Sequence, residues 1–342
     1  MIWHPHTWAF WIAAVTGSGL YLAAAACAWD VALNWRPERS DPVQLRCERH
    51  AQMAALLGRW ALCMLAGATL LGLIGITRVW HTLIPGAMCG TGVLQAMGAE
   101  GYQALIFWGI TWIWLFAWQI RDGLDRDCPQ GVLTDANARL LIAVLPFLCL
   151  ALFHTWRAVM RIDGAPPVSC CAAVYDRVLA DPAGVGMQTW QRSAALWSCL
   201  GGILLLPFLA TAAARSRIPG GPVAALSLVW AITATLAIKQ TWSSYYYEVL
   251  SHPCPWCLFL PEYHGAGFLI FGCLGAVLLE TIALWAAGRI QCRHACLAGP
   301  AGRRQWQAVR RITAALIGFT LLTVGPALLW RYRTGTWLDG TP

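Results

Sequence analysis

Residues 265–287 read GAGFLIFGCLGAVLLETIALWAA, an unbroken apolar run whose one charged side chain is Glu280. A helix rises 1.5 Å per residue, so about 20 such residues cross a hydrocarbon core about 30 Å thick. Within lipid only a helix or a closed barrel satisfies its own backbone polar groups, and a run of this length without alternation reads as a helix. Seven more stretches of the same kind occur at 7–29, 51–76, 102–120, 138–156, 194–214, 223–241 and 310–330. Together they predict an all-α, polytopic membrane bundle of about eight transmembrane helices with lipid as its surroundings.

Composition agrees with that reading. Hydrophobic residues make up 58% of the 342 and charged residues 12%, against roughly 25% charged in an ordinary soluble domain. No linker or low-complexity run divides the chain, so 1–342 is expected to be a single integral membrane domain. Met1 to Ala9 contain no Lys or Arg; without a basic region before it, the first apolar run is expected to be retained as a span rather than removed as a signal.

The net charge of +8 does not point to nucleic acid, because the basic residues are scattered through short loops and gathered on no face or tail. Membrane orientation explains them better. Assigning alternate loops to one side collects most of the arginines, from Arg36 and Arg39 through Arg121, Arg126 and Arg139 to Arg303, Arg304, Arg310 and Arg311. That side is expected to be cytoplasmic, which leaves both termini external. Tryptophans such as Trp3, Trp8, Trp80, Trp156, Trp242 and Trp330 fall near span ends, where aromatic belts form.

A short internal echo suggests duplication. Pro85–Cys89 is followed by Gly101-Tyr-Gln-Ala-Leu-Ile-Phe, and Pro253–Cys257 by Gly265-Ala-Gly-Phe-Leu-Ile-Phe. Two four-helix halves, 1–193 and 194–342, would follow from it.

The fourteen cysteines sort by side. Cys63, Cys149, Cys199 and Cys273 lie inside spans, where cysteine behaves as a small hydrophobe. Cys27, Cys47, Cys128 and the Cys292-Arg-His-Ala-Cys296 segment fall on the cytoplasmic side and are expected to be solvated, reduced thiols. Externally lie Cys89, the adjacent Cys170 and Cys171, and Cys254-Pro-Trp-Cys257. Two cysteines separated by two residues close a small ring and often have a depressed thiol pKa, which suits exchange; the same spacing also serves a static disulfide or half of a metal site. The residues alone leave those alternatives open.

Around the motif stand Trp242, Tyr245, Tyr246, Tyr247 and Trp256, with His252, Glu262 and His264 as neighbouring proton-handling groups. His81 and His154 near the external face are the best candidates for a b-type haem, and the histidines with Met88 and Cys89 for copper. Glu280, inside a span, is either a proton-handling group or a satisfied structural one. No phosphate loop, hydrolytic triad or zinc-protease signature is present.

A multispan bundle with Cys-Pro-Trp-Cys at its external surface and further cysteines in another external loop resembles the DsbB and vitamin K epoxide reductase group. The resemblance covers about residues 194–330, and it departs from those four-helix families in span number and in the vicinal rather than spaced second pair. It implies that Cys254 and Cys257 are a quinone-proximal pair; Trp256, Tyr247, His252, Glu262 and His264, near the motif in sequence, are the residues expected to border the quinone. Cys170 and Cys171, or one of them with Cys89, would then exchange with an external thioredoxin-like partner. The expected function is a thiol–disulfide oxidoreductase of a bacterial inner membrane, passing electrons between that partner and a membrane quinone. The alternative is a non-catalytic subunit that anchors or matures an external haem or copper protein.

Overall fold

The computed structural model describes residues 3–38, 41–128, 130–162, 166–168, 189–248 and 254–338. All regular structure among them is helical: α1 (Pro5–Asn34), α2 (Pro42–Ile74), α3 (Gly90–Met97), α4 (Ala99–Asp125), α5 (Thr134–Ile162), α6 (Thr189–Ala214), α7 (Gly220–Ala237), α8 (Ser243–Tyr247), α9 (Ala266–Arg293) and α10 (Ala298–Thr334). Eight helices among the described residues are long and apolar enough to cross a membrane, so the chain is a multi-pass membrane protein.

The helices outrun the apolar stretches because capping extends them past the hydrocarbon. Asp41 accepts the backbone N–H of Gln44 at 2.8 Å, and Pro42 opens the first turn. α2 therefore begins nine residues before the apolar stretch that starts at residue 51. α10 likewise begins at Ala298, which places Arg303, Arg304, Arg310 and Arg311 on a helix rather than in a loop. Large apolar side chains point outward along the helices, among them Leu204, Phe208 and Ile232. In water such faces would aggregate; in a bilayer they meet lipid.

The chain forms two compact units. One comprises Met1–Leu83, Val93–Pro166 and Arg289–Gly302. Its core lies between α1, α2, α4 and α5, where Tyr21, Leu65, Leu115, Leu141 and Leu148 are buried against a line of alanines on α1. The other comprises Ile84–Gly92, Pro167–Gly288 and Arg303–Pro342. Leu206, Trp230, Ile270, Val277, Ile312 and Phe319 fill it. The segment Ile84–Gly92, which runs into the start of α3, thus belongs to the second unit.

In each half of the chain the second long helix ends in a π-helical turn, Gly75–Val79 after α2 and Ile238–Trp242 after α7. A π-turn widens the helix by one residue and redirects the chain beyond it, and such turns gather at functional sites. Here each one leads into a cysteine-bearing connection.

Trp230 shows how closely the second unit is packed. Its indole N–H donates to the Cys199 carbonyl at 3.1 Å and its ring meets Phe319 edge-on at 5.4 Å. The indole so fixed lies against Gly202, where a methyl group would collide with its five-membered ring. Gly202→Ala is expected to lower stability by about 1–3 kcal/mol, the range for overpacking a filled site. Gly201→Ala, one residue away with no atom within 4 Å of an added methyl, should be neutral or stabilising by up to about 1 kcal/mol. Thermal unfolding of both variants in detergent checks the contrast.

Candidate functional site

After the π-turn Ile238–Trp242, the short helix α8 stops at Glu248, which adopts a left-handed φ of 54°. The described chain resumes at Cys254. Pro255, with φ fixed by its ring, opens a tight turn over Pro255–Phe259. Within it the Cys257 N–H reaches the Cys254 carbonyl at 3.3 Å, and the Tyr247 hydroxyl donates to the same carbonyl at 2.6 Å. The turn folds the two thiols toward one another, and Tyr247 ties it to the end of α8. Phe259 anchors the far side, 4.9 Å from Phe268 edge-on and stacked on Phe271 at 5.5 Å.

A second connection supplies the third thiol. Gly86 turns the segment Ile84–Gly92 with φ +79°, and a side chain there would strike the carbonyl of Val168. The Val168 N–H donates to the Pro85 carbonyl at 3.0 Å, and the Cys89 carbonyl accepts the Gly92 N–H at 3.0 Å at the start of α3. These contacts hold Cys89 Sγ 3.5 Å from Cys254 Sγ. The sulfurs of Cys89, Cys254 and Cys257 all lie within 4.8 Å of one another, and all three residues are buried. Thr91 completes the group, its hydroxyl 3.0 Å from Cys254 Sγ.

This arrangement singles out one sulfur for charge. Hydrogen bonds from the Cys257 and Cys89 thiols, aided by the Thr91 hydroxyl and the Trp256 backbone and opposed by burial, pull Cys254 down to about 3. The same contacts push Cys257 and Cys89 upward, because each donates its proton toward the Cys254 sulfur. The contacts thus favour negative charge on the Cys254 sulfur over Cys257 and Cys89. Thr91→Val removes one charge-assisted hydrogen bond, worth about 1.5–3 kcal/mol. It is expected to raise the Cys254 pKa by about 1–2 pH units, read as the acid-side midpoint of thiolate absorbance in the reduced protein. An unchanged midpoint would remove Thr91 from the site.

Of the residues expected around the motif, Tyr247 and Trp256 adjoin it, with Trp256 5.7 Å from Phe259 and Tyr247 edge-on to Tyr263 at 4.6 Å. Trp242 is buried, and Tyr246 donates to the Leu322 carbonyl at 2.6 Å. Glu262 and His264 are both exposed on the next turn, where His264 adopts a left-handed φ of 55°. His252, Cys170 and Cys171 lie outside the described residues. Thr91 is an addition that the sequence reading does not contain, although it stands two residues after Cys89 in Cys-Gly-Thr. A hydroxyl adjoining a cysteine carries no signal until the second loop is known to approach.

In the first unit the imidazole of His154 meets Glu100 at 2.7 Å through Nδ1 and stacks on Phe107, while Arg157 reaches the other carboxylate oxygen at 3.0 Å. His81 keeps its Nδ1 buried with no hydrogen-bond partner among the described residues. No family model, curated protein or solved structure matches the chain.

Proposed function

We propose that the protein is a membrane thiol–disulfide oxidoreductase in which Cys89, Cys254 and Cys257 exchange electrons between an external dithiol partner and a membrane quinone. The observation that carries this reading is the third buried thiol, Cys89, 3.5 Å from a Cys-x-x-Cys motif. A static bridge needs only two sulfurs. Three within 4.8 Å let a disulfide migrate by attack of the remaining thiolate, with one S–S bond formed as another breaks.

Each partner dithiol oxidised releases two electrons and two protons, and the cluster carries the electron pair as a dithiol that closes again to a disulfide. A quinone, when bound, supplies the two-electron, two-proton acceptor. Trp256 and Tyr247 are the aromatic residues beside the cysteines that would border it. The Cys170 and Cys171 pair comes soon after Val168, whose N–H is bonded to the Cys89 loop, and supplies the shuttle thiols in this reading. A bacterial inner membrane belongs to the same proposal, and so does the external side, which the asymmetric distribution of arginines between the span ends supports.

A second reading draws on the same three sulfurs. A soft metal bound at about 2.3 Å by each thiolate holds the sulfurs of a trigonal site roughly 4 Å apart. Copper(I) handling for an external metalloprotein would draw on these sulfurs once the Cys89–Cys254 pair opens from 3.5 Å to about 4 Å. Mass-spectrometric mapping of thiols and disulfides in the native membrane, before and after adding a soluble quinone, separates the two. Quinone-dependent closure of a disulfide among the three cysteines supports exchange. Three thiols protected together without a disulfide, with stoichiometric copper, supports the metal site.

A further inference from the structure

The connection between α4 and α5 is built around Asp125, whose carboxylate accepts the Leu133 N–H and the Thr134 hydroxyl, each at 2.8 Å. Within that tight connection the Cys128 N–H bonds the Asp125 carbonyl at 3.1 Å, and Gly131 closes the turn at φ +57° onto the Cys128 carbonyl. Cys128 is thereby held in place and buried, 4% exposed. Beside it runs the turn Ala295–Leu297 that joins α9 to α10, pinned by fully buried Leu297. Cys296 in that turn is exposed, yet its sulfur lies 2.6 Å from Cys128 Sγ.

Two sulfurs at that separation do not share a metal. Thiolate–metal bonds of about 2.3 Å place their sulfurs between roughly 3.7 Å in a tetrahedral site and 4.6 Å in a linear one. Neither cysteine has a third cysteine, histidine or carboxylate completing a ligand group among the described residues. The Cys128 thiol donates to Cys296 Sγ, and two free thiols so placed are within reach of a covalent bond. α4 comes after the Cys89 loop and precedes Cys128, and its 27 residues span about 40 Å; Cys128 is therefore one membrane crossing along the chain from Cys89.

We propose that Cys128 and Cys296 form a reversible disulfide, made by exchange with a low-molecular-weight disulfide of the glutathione type. Exposed Cys296 loses its proton to solvent and its thiolate attacks one sulfur of the small disulfide, breaking that S–S bond and releasing one small thiol. Cys128 then gives up its proton and attacks the Cys296 sulfur of the mixed disulfide, forming the Cys128–Cys296 bond and expelling the second small thiol. The small disulfide gains two electrons and two protons, and the protein dithiol loses them. Excess small thiol drives the same steps backward. Burial of Cys128 makes it the resolving rather than the first-attacked sulfur, because a bulky disulfide reaches only Cys296.

The bond acts on more than the two cysteines. Cys128 lines a cavity of about 440 Å³ among α1, α2, α4 and α5, whose polar wall includes Arg59, Asp122, Arg126 and Asn137. Arg59 pairs with Asp122 at 2.9 Å across it. Closing the disulfide fastens the connection that forms one side of this cavity to the α9–α10 turn.

The test uses the full-length protein in detergent, equilibrated with mixtures of reduced and oxidised glutathione, alkylated and mapped by mass spectrometry without reduction. The expected result is a Cys128–Cys296 linked peptide that accumulates with oxidised glutathione, with loss of alkylation at both positions, and disappears when excess reduced glutathione is added. Cys292→Ser should leave the linkage unchanged, and Cys128→Ser should convert Cys296 to a stable glutathione adduct. The proposal is overturned if the unsubstituted protein gives only a glutathione adduct at Cys296 with Cys128 still alkylated, or if Cys296 links to Cys292 instead. Because mapping the unsubstituted protein decides the matter, a variant that fails to fold does not affect the result.

Discussion

Cys254→Ser is expected to reduce quinone reduction by a small dithiol in reconstituted membranes on the order of 10³-fold or more, about 4 kcal/mol of barrier. Serine nearly matches cysteine in shape and accepts the same hydrogen bonds, so the turn Pro255–Phe259 should persist. A hydroxyl, however, neither ionises at neutral pH nor forms a bridge with Cys257 or Cys89. Thermal unfolding should move little, which separates loss of chemistry from loss of fold. Cys89→Ser provides the sharper comparison. If the third thiol resolves the exchange, that variant keeps a Cys254–Cys257 disulfide yet turns over slowly and accumulates mixed disulfides with the donor. Full activity in Cys89→Ser would mean that the 3.5 Å approach to Cys254 has no part in turnover. Full activity in Cys254→Ser would sink the oxidoreductase proposal altogether.

The eight spans are legible because lipid-facing helices are written in residue type alone, without reference to any partner. A run such as 223–241 declares itself whatever it packs against, and α7 with its π-turn covers that stretch. Two things lie beyond such a reading. Hydropathy reports the hydrocarbon and not the helix, so the capped start of α2 and the arginine-bearing start of α10 look like loop. Contacts between distant loops are also hidden. Cys254 and Cys257 announce themselves by spacing, whereas Cys89 lies 165 residues from Cys254 and only the bend at Gly86 brings it there. The repeated Pro…Cys pattern at 85–89 and 253–257 is the one hint that the two connections are counterparts. Cys128 and Cys296 carry no hint at all; expected as solvated thiols, they meet because equivalent connections, α4–α5 and α9–α10, approach one another.

Glu280→Ala carries the largest expected effect on stability. Glu280 lies midway along α9 with its side chain 8% exposed, and α10 brings Arg304 to 2.8 Å from one carboxylate oxygen and Arg311 to 2.9 Å from the other. Arg311 donates a proper hydrogen bond but is largely exposed. Arg304 is 11% exposed, and its Nη2 reaches Oε2 at ion-pair distance without hydrogen-bond alignment, leaving both Nη atoms without a hydrogen bond among the described residues. Its charge therefore depends on Glu280. Removing the carboxylate strands a buried guanidinium, which costs about 3–5 kcal/mol, whereas deleting both members of a buried pair costs far less than the sum. Glu280→Ala should sharply lower the unfolding midpoint in detergent, and Glu280→Ala with Arg304→Leu should recover most of it. Arg311→Ala, at the exposed end, should change the midpoint by no more than about 1 kcal/mol equivalent. If the single and double variants unfold alike, the pair does not hold α9 against α10, and a proton-handling role for Glu280 becomes the better account of a carboxylate at that depth.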